Sequence, residues 1–338
     1  MNACGRGAHC ASEKGRGSAL TLALLAVLLA MGVLGAPMAG AHFVSSADAG
    51  QQATQFWTAA RMKRARPLDL RRSDLGNVVL DGAAAAAGEI PRVHPPYAAG
   101  EASTSSGFEA VPDPTAETTR QNGAIFIETP FGLGRCSGTS VNAPNFSVVF
   151  TAAHCIHSGG RRGRWMDFRW AFVPGYRYGQ RPFGVFAAKW VDTTLQWRIS
   201  GSENYDVGAA VVGRNQDGEL LAKAVGGTGI AWGLKARQVF DVHGYPAAEP
   251  FDGETQRVCA QTPFLGHDAR SFLMPGPLNL AVDCDVTGGA SGGGWTISGG
   301  RILNSVTNYG YGDDPDTDFG AYFGDEVGRL FHRAGRVK

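Results

Sequence analysis

Three side chains in this chain have the types and order needed to make a hydroxyl nucleophilic. Ser291 lies in Gly288-Gly289-Ala290-Ser291-Gly292-Gly293-Gly294, His154 in Thr151-Ala152-Ala153-His154-Cys155, and Asp206 heads the apolar run Asp206-Val207-Gly208-Ala209-Ala210-Val211-Val212. A serine hydroxyl attacks poorly unless a base removes its proton. An imidazole suits that task because it titrates near neutral pH. A buried carboxylate sets the imidazole tautomer and stabilises the imidazolium that forms. Ser291 is therefore assigned as nucleophile, His154 as general base and then acid, and Asp206 as the orienting group. The oxyanion of a tetrahedral intermediate needs converging N–H donors. The backbone N–H groups of Gly289 and Ser291 are the candidates, on a glycine loop that can turn tightly and admit a carbonyl. Taken singly, each residue has a plainer reading as a flexible loop, a structural histidine or a turn aspartate. Their joint occurrence in this order points to catalysis.

Such a site needs a scaffold that brings distant segments together. Glycine is abundant, at 48 of 338 residues, and charged residues make up only 18%. That composition suits a loop-rich all-β protein. From about residue 121 onward, short apolar runs are split by glycine and proline. The runs 124–127, 146–151, 168–173, 183–190, 207–212, 238–242, 257–261, 295–297 and 302–309 read as strands. Many short strands with regular turn signals indicate a barrel or sandwich. Phe323, Val327, Leu330 and Phe331 follow helical spacing and predict a C-terminal helix.

Upstream, the pattern differs. Arg6, Lys14 and Arg16 precede an uncharged apolar stretch at 19–34 and the small-residue site Ala39-Gly40-Ala41. This reads as an export signal, residues 1–41, cut after Ala41, with an uncleaved membrane anchor as the competing reading. Residues 42–120 carry an alanine run, a Pro/Gly/Ser/Thr-rich stretch and weak periodicity, so they read as a propeptide or flexible tether. Arg120 is a candidate processing point. The strand-rich domain is then 121–338. Four cysteines lie beyond the export signal: Cys136, Cys155, Cys259 and Cys284. They allow three pairings, and no pair has the close spacing of zinc ligands. Export to an oxidising compartment favours disulfides. The net charge of +1 gives no nucleic-acid signal. No metal and no cofactor are expected, no membrane contact beyond the export signal, and a monomer.

TAAHC (151–155), DVGAAVV (206–212) and GGASGGGW (288–295) resemble the three signature blocks of the trypsin-like, chymotrypsin-fold serine peptidases. Phe172-Val173-Pro174-Gly175-Tyr176, His243-Gly244-Tyr245-Pro246 and Tyr322-Phe323-Gly324-Asp325 are similar to stretches of the bacterial glutamyl-endopeptidase-like branch. The resemblance covers roughly residues 121–338. It implies two six-stranded antiparallel β-barrels with the site in the cleft between them. His154 and Asp206 would come from the first barrel and Ser291 from the second. The C-terminal helix would pack on the second. The resemblance also implies the pairing Cys136–Cys155, and Cys259–Cys284 would then hold the segment leading into the serine loop.

The implied function is a secreted serine endopeptidase acting on protein or peptide substrates through an acyl-enzyme on Ser291. The alternative is a catalytically idle binding protein on the same fold, although no triad member or loop glycine is missing. An esterase on an α/β-hydrolase fold would show Ser first and His last, the reverse of this order.

For substrate recognition, Asp285 lies six residues before Ser291, where the family places the floor of the primary pocket. A carboxylate there would favour Arg or Lys. Tyr309 and Gly310 are expected on the pocket wall, holding an extended substrate backbone as an added strand. The residues Asp313, Asp314, Asp316 and Asp318 read as an acidic loop, solvated, steering basic substrates or binding calcium. The glutamyl branch implies a wall histidine, and this chain has Ser305-Val306-Thr307-Asn308 there instead. Ala290 stands where many zymogens have the aspartate that captures a new N-terminus, so that route of activation is not expected through residue 290.

Overall fold

Strand β1 (Asn122–Thr129) has two apolar faces rather than one. Ile125 and Ile127 turn into a cluster with Val149, Phe172 and Phe186. Ala124 and Phe126 turn the opposite way, onto Trp57, Met62 and Ala65. Successive strand residues point to opposite faces, so a strand covered on both sides reads as one continuous apolar run. The outer cover comes from the upstream segment.

The computed structural model describes residues 42–43, 47–68, 79–80, 92–96 and 108–338. The export signal at 1–41, with its cut after Ala41, and the alanine run at 83–87 lie outside the described residues. Helix α1 (Ala47–Phe56) and helix α2 (Ala59–Arg64, capped by Thr58) belong to the segment read from sequence as propeptide or tether. The second half of that pair is firmly seated. Trp57 is wholly buried, its Nε1 donates to the Arg169 carbonyl at 2.6 Å, and its own carbonyl accepts from Arg181 at 3.1 Å. Weak periodicity in this stretch hid the docking, because only a few residues, Trp57 and Met62 above all, carry it.

The first barrel comprises β1, β2 (Gly132–Val141), β3 (Val148–Thr151), β4 (Ala171–Pro174), β5 (Phe186–Thr193) and β6 (Gly208–Val212). It closes in the order β1-β2-β3-β6-β5-β4 and back to β1, with all pairs antiparallel. The second comprises β7 (Val239–Gly244), β8 (Arg257–Asp268), β9 (Leu280–Asp283), β10 (Gly294–Ile297), β11 (Ile302–Tyr311) and β12 (Asp314–Gly320). It closes as β7-β8-β9-β12-β11-β10, again antiparallel. This is the expected all-β architecture of two six-stranded barrels. The strands β2, β9 and β12 were not anticipated. β2 is built from Gly, Ser, Thr and Cys, and β12 carries three aspartates, so neither shows strand propensity. Pairing on both sides makes them strands regardless.

Helix α3 (Asp325–Gly335) is the expected C-terminal helix, but its seat corrects the expectation. Val327, Leu330, Phe331 and Ala334 share one cluster with Val148, Phe150, Ala209 and Val211 of the first barrel, and with Trp232, Leu303 and Val306 outside it. The helix fills the groove between the barrels instead of resting on the second alone. Its apolar stripe is wide enough to touch both. Arg333 adds a bond to the buried Asp192 of β5 at 2.8 Å.

Candidate active site

His154 sits on a short turn, Ala153–Cys155, at the end of β3. The Cys136–Cys155 disulfide ties that turn to β2. Asp206 follows the turn Glu203–Tyr205 and precedes β6, the strand paired with β3. The pairing of β3 with β6 therefore sets the meeting of these two residues. Asp206 is wholly buried. Its Oδ1 accepts from the His154 backbone N–H at 2.8 Å and its Oδ2 lies 2.7 Å from His154 Nδ1. An anion there holds the proton on Nδ1 and fixes the ring plane.

Ser291 sits between β9 and β10, on a loop whose leading end is held by the Cys259–Cys284 disulfide. The loop is stitched to both barrels. Ser137 of β2 donates its N–H to the Ser291 carbonyl at 2.8 Å and its hydroxyl to the Gly289 carbonyl at 2.9 Å. Gly292 N–H donates to the Thr307 carbonyl at 2.7 Å, and Thr307 N–H to the Gly293 carbonyl at 2.9 Å. Ser137 was missed from sequence; only its place after Cys136 marks it. Two glycines are required here. Gly289 has φ +99° with a Cβ position 2.8 Å from the Tyr245 carbonyl, and Gly292 has φ +80° with one 2.0 Å from Thr151 Oγ1. Among the described residues the N–H groups of Gly289 and Ser291 bond to no backbone carbonyl. Two donors next to the serine are thus left for an external oxygen.

The Ser291–His154 link is not made. Nε2 of His154 instead lies 3.1 Å from the backbone carbonyl of Leu68. Residues Arg66 and Pro67 pair in parallel with Gly134 and Arg135 of β2, and the Leu68 N–H donates to the Arg135 carbonyl at 3.0 Å. The Leu68 side chain packs over Gly134, where a Cβ would come within 2.8 Å of it. The upstream segment therefore reaches the imidazole itself.

Among solved structures, protease Anisep from Arthrobacter nicotinovorans is 33% identical, over 64% of this chain and 96% of that one, at a TM-score of 0.58. A thermostable serine protease, AL20, from an extremophilic microorganism is 30% identical over 66% of this chain and 100% of that one, at a TM-score of 0.60. The chain belongs to the trypsin-like serine proteases. A Glu endopeptidase, 16% identical over 69% of this chain and 98% of the other at a TM-score of 0.50, shares the fold. No protein-family profile and no curated protein matches this trypsin-like protease.

The protease's expected substrate residues fall in different places. Asp285 is half-buried and its Oδ1 accepts from the Phe108 N–H at 2.9 Å, which commits that oxygen to the segment entering from upstream. Tyr309 is buried, its hydroxyl donating to Asp268 at 2.6 Å and accepting from Asn279 at 2.9 Å. Pairing of β11 with β10 stops at Val306, and beyond it Thr307 bonds the serine loop. The acidic stretch is mostly strand rather than loop, with Asp313 and Asp316 still exposed. Asp314–Gly320 is strand β12, Asp313 pairs with Arg270, and Asp318 is wholly buried. Ala290 is buried beside Phe108. Arg120 closes a turn, its N–H on the Ala116 carbonyl at 2.9 Å and its Nε on the Val225 carbonyl at 3.2 Å, so cutting after it requires that turn to open. Among the described residues two groups of possible metal ligands occur, around Cys136 with His154 and around Cys259 with Asp285. Each holds a disulfide, whose sulfurs are not thiolate donors.

Behind the serine loop, His243 on β7 is buried and its pKa is pushed down to about 4 by burial, against the opposing pull of Asp241. Gln256 Nε2 lies 3.5 Å from Nδ1 and donates to it. The folded state thus binds fewer protons than the unfolded one, whose histidine titrates near 6.5. Stability is full above that value and falls as the pH drops toward about 4. Calorimetric melts of the His243→Gln variant should show a shallower loss across this window. An identical slope would assign the acid lability elsewhere.

Proposed function

We propose that this protease is a secreted serine endopeptidase that hydrolyses peptide bonds in protein or peptide substrates through an acyl-enzyme on Ser291. The observation that carries the reading is the buried Asp206–His154 pair beside a serine loop with two unused N–H donors. In the forward step His154 Nε2 takes the Ser291 proton as Oγ bonds to the substrate carbonyl carbon. The carbonyl oxygen becomes an oxyanion facing the Gly289 and Ser291 N–H groups. The tetrahedral adduct collapses as the imidazolium gives its proton to the leaving amine. Water then repeats the cycle on the ester, with His154 again as base. Oxyanion donors of this kind contribute about 10²–10³ in rate.

Residues 42–120 act in this reading as an inhibitory pro-segment, and 1–41 as the export signal. A carbonyl oxygen only accepts. With Asp206 beside Nδ1 and the Leu68 carbonyl beside Nε2, the ring faces an acceptor at each nitrogen, and Nε2 is not open to take the Ser291 proton. The pro-segment thus occupies the base rather than merely shading the cleft. The two disulfides fit an extracellular protease, and among the described residues no helix is long and apolar enough to cross a membrane.

The test is prolonged reaction of the full chain with a fluorophosphonate, followed by peptide mapping. The expected result is a single phosphonylated peptide, the one holding Ser291. Modification at another residue, or none after the pro-segment is displaced, would overturn the assignment.

A further inference from the structure

Three donors converge on one backbone oxygen next to Asp206. The Glu203 carbonyl accepts from the Asp206 N–H at 3.1 Å, from Asn308 Nδ2 at 3.1 Å and from Asn279 Nδ2 at 3.3 Å. A carbonyl oxygen offers two lone pairs, so this one is fully engaged. Glu203 and Asp206 belong to the first barrel. Asn308 lies on β11 and Asn279 just before β9, both in the second. Both asparagines are wholly buried. The same turn is stitched to the second barrel elsewhere. Asn204 Nδ2 donates to the Ser271 and Met274 carbonyls at 3.3 and 3.2 Å, and the Ser202 hydroxyl donates to the Pro275 carbonyl at 2.6 Å. A Cβ on Gly276 would come within 2.8 Å of the Tyr205 ring. The turn that delivers Asp206 is therefore clamped by the segment leading into β9.

Asp206 depends on that clamp. Among the described residues, the hydrogen bonds to its carboxylate come from His154 alone. Its place relative to His154 is set through its backbone. Pairing of β6 with β3 holds the chain from Gly208 onward, and the Glu203 carbonyl holds it on the other side. Asn279 is the best anchored of the side-chain donors. Its Nδ2 also donates to the Tyr309 hydroxyl at 2.9 Å, and that hydroxyl donates to Asp268 at 2.6 Å. The Tyr311 hydroxyl donates to the same Asp268 oxygen at 2.8 Å. The Glu203 carbonyl can only accept, and the Tyr309 proton is committed to Asp268. Both N–H groups of the Asn279 amide are thus used, and its orientation is fixed. A buried chain of hydrogen bonds runs from Asp268 through Tyr309 and Asn279 to the turn that carries Asp206.

We infer that Asn279 is a positioning residue for catalysis: acting through the Glu203 carbonyl, it holds Asp206 in register with His154. The inference rests on the peptidase reading above. It makes the first-barrel half of the triad depend on a side chain of the second barrel, in addition to the serine loop's own bonds to Ser137. A leucine at 279 fills nearly the same space and donates nothing. It leaves the Glu203 carbonyl and the Tyr309 hydroxyl each one donor short in a buried site. The turn then relaxes, and the Asp206 carboxylate moves relative to the imidazole. A displacement of about 1 Å in such an arrangement costs about 10²-fold in rate.

The test measures kcat and KM on peptide anilides for Asn279→Leu and Asn279→Asp, each alone and combined with Asp206→Asn. The aspartate keeps the shape and puts an acceptor where the donor was. Either substitution alone should lower kcat about 10²-fold and leave KM within a few-fold. In the Asp206→Asn background the same substitutions should cost a few-fold at most, because the group they act through is already gone. General damage to the fold would lower activity equally in both backgrounds. Proton NMR of the Ser291→Ala chain gives a readout that needs no turnover. The His154 Nδ1–H resonance should move upfield or vanish when Asn279→Leu is added, while near-ultraviolet circular dichroism stays unchanged. Should Asn279→Leu fail to fold, Asn279→Asp and the smaller Asn279→Ser carry the same comparison. Unchanged kcat, equal losses in the two backgrounds, or an unmoved Nδ1–H resonance would overturn the inference. Absence of both fluorophosphonate labelling and cleavage in the wild type would instead remove the peptidase reading, and this inference with it.

Discussion

Ser291→Ala should lower kcat for peptide hydrolysis by about 10⁶-fold and leave a small residual rate from the oxyanion donors. The fold should be unaffected. Among the described residues Ser291 makes its hydrogen bond through its carbonyl, accepting from Ser137 N–H, and that bond survives the substitution. Loss of one hydroxyl at a site that is 5% exposed should change the unfolding free energy by less than about 1 kcal/mol. Asp206→Asn should cost about 10⁴-fold, because an amide no longer holds the proton on Nδ1. The measurement is single-substrate turnover beside a thermal melt. Wild-type turnover in Ser291→Ala would eliminate the acyl-enzyme mechanism. No turnover in the wild type, with no labelling after the pro-segment is displaced, would leave an idle binding protein on a peptidase fold.

Trp57→Ala should accelerate fluorophosphonate labelling of the full chain by about 10²–10³-fold. The indole is wholly buried against Phe126 and makes the Arg169 bond. Truncating such a side chain costs about 3–5 kcal/mol, and each 1.4 kcal/mol is about a tenfold change in the docked population. The loss falls on docking because Trp57 contacts only the outer face of β1 and its neighbours. Barrel one keeps its own core around Ile125, Val149 and Phe172. A second variant separates lid release from general damage. Leu68→Pro removes the N–H that bonds Arg135 and disturbs the carbonyl on His154, leaving Trp57 seated. Both variants should label faster while near-ultraviolet circular dichroism keeps its barrel signature. Unchanged labelling in both would make the segment a structural cover rather than an inhibitor. Docking also explains why β1 is apolar on both faces: after release, Phe126 and Ala124 must find another cover or face water.

The sequence by itself pointed to Ser291, His154 and Asp206 as a candidate triad, to the loop glycines and to the strand-rich architecture. Ser291, His154 and Asp206 each lie in a short local frame whose residue types follow from their chemistry, so a few neighbours suffice to recognise them. The glycines at 289 and 292 are legible for the same reason, because positive φ and close backbone approach admit little else.

Tertiary structure decided the rest. Whether a carboxylate faces solvent or a core depends on strand pairing between distant segments, and composition carries no trace of it. Asp318 sat in an apparent acidic loop, yet pairing with β9 and β11 buries it. Asp285 was expected at the floor of the primary pocket, yet a backbone N–H from 177 residues upstream occupies one oxygen. Helix α3 showed its apolar stripe, but only the groove between the barrels determined which strands it covers. The contact of Leu68 with His154 spans 86 residues and runs through a backbone carbonyl, a group every residue has. No side-chain pattern announces such a contact, and only the docking of Trp57 and Met62 brings that carbonyl to the imidazole.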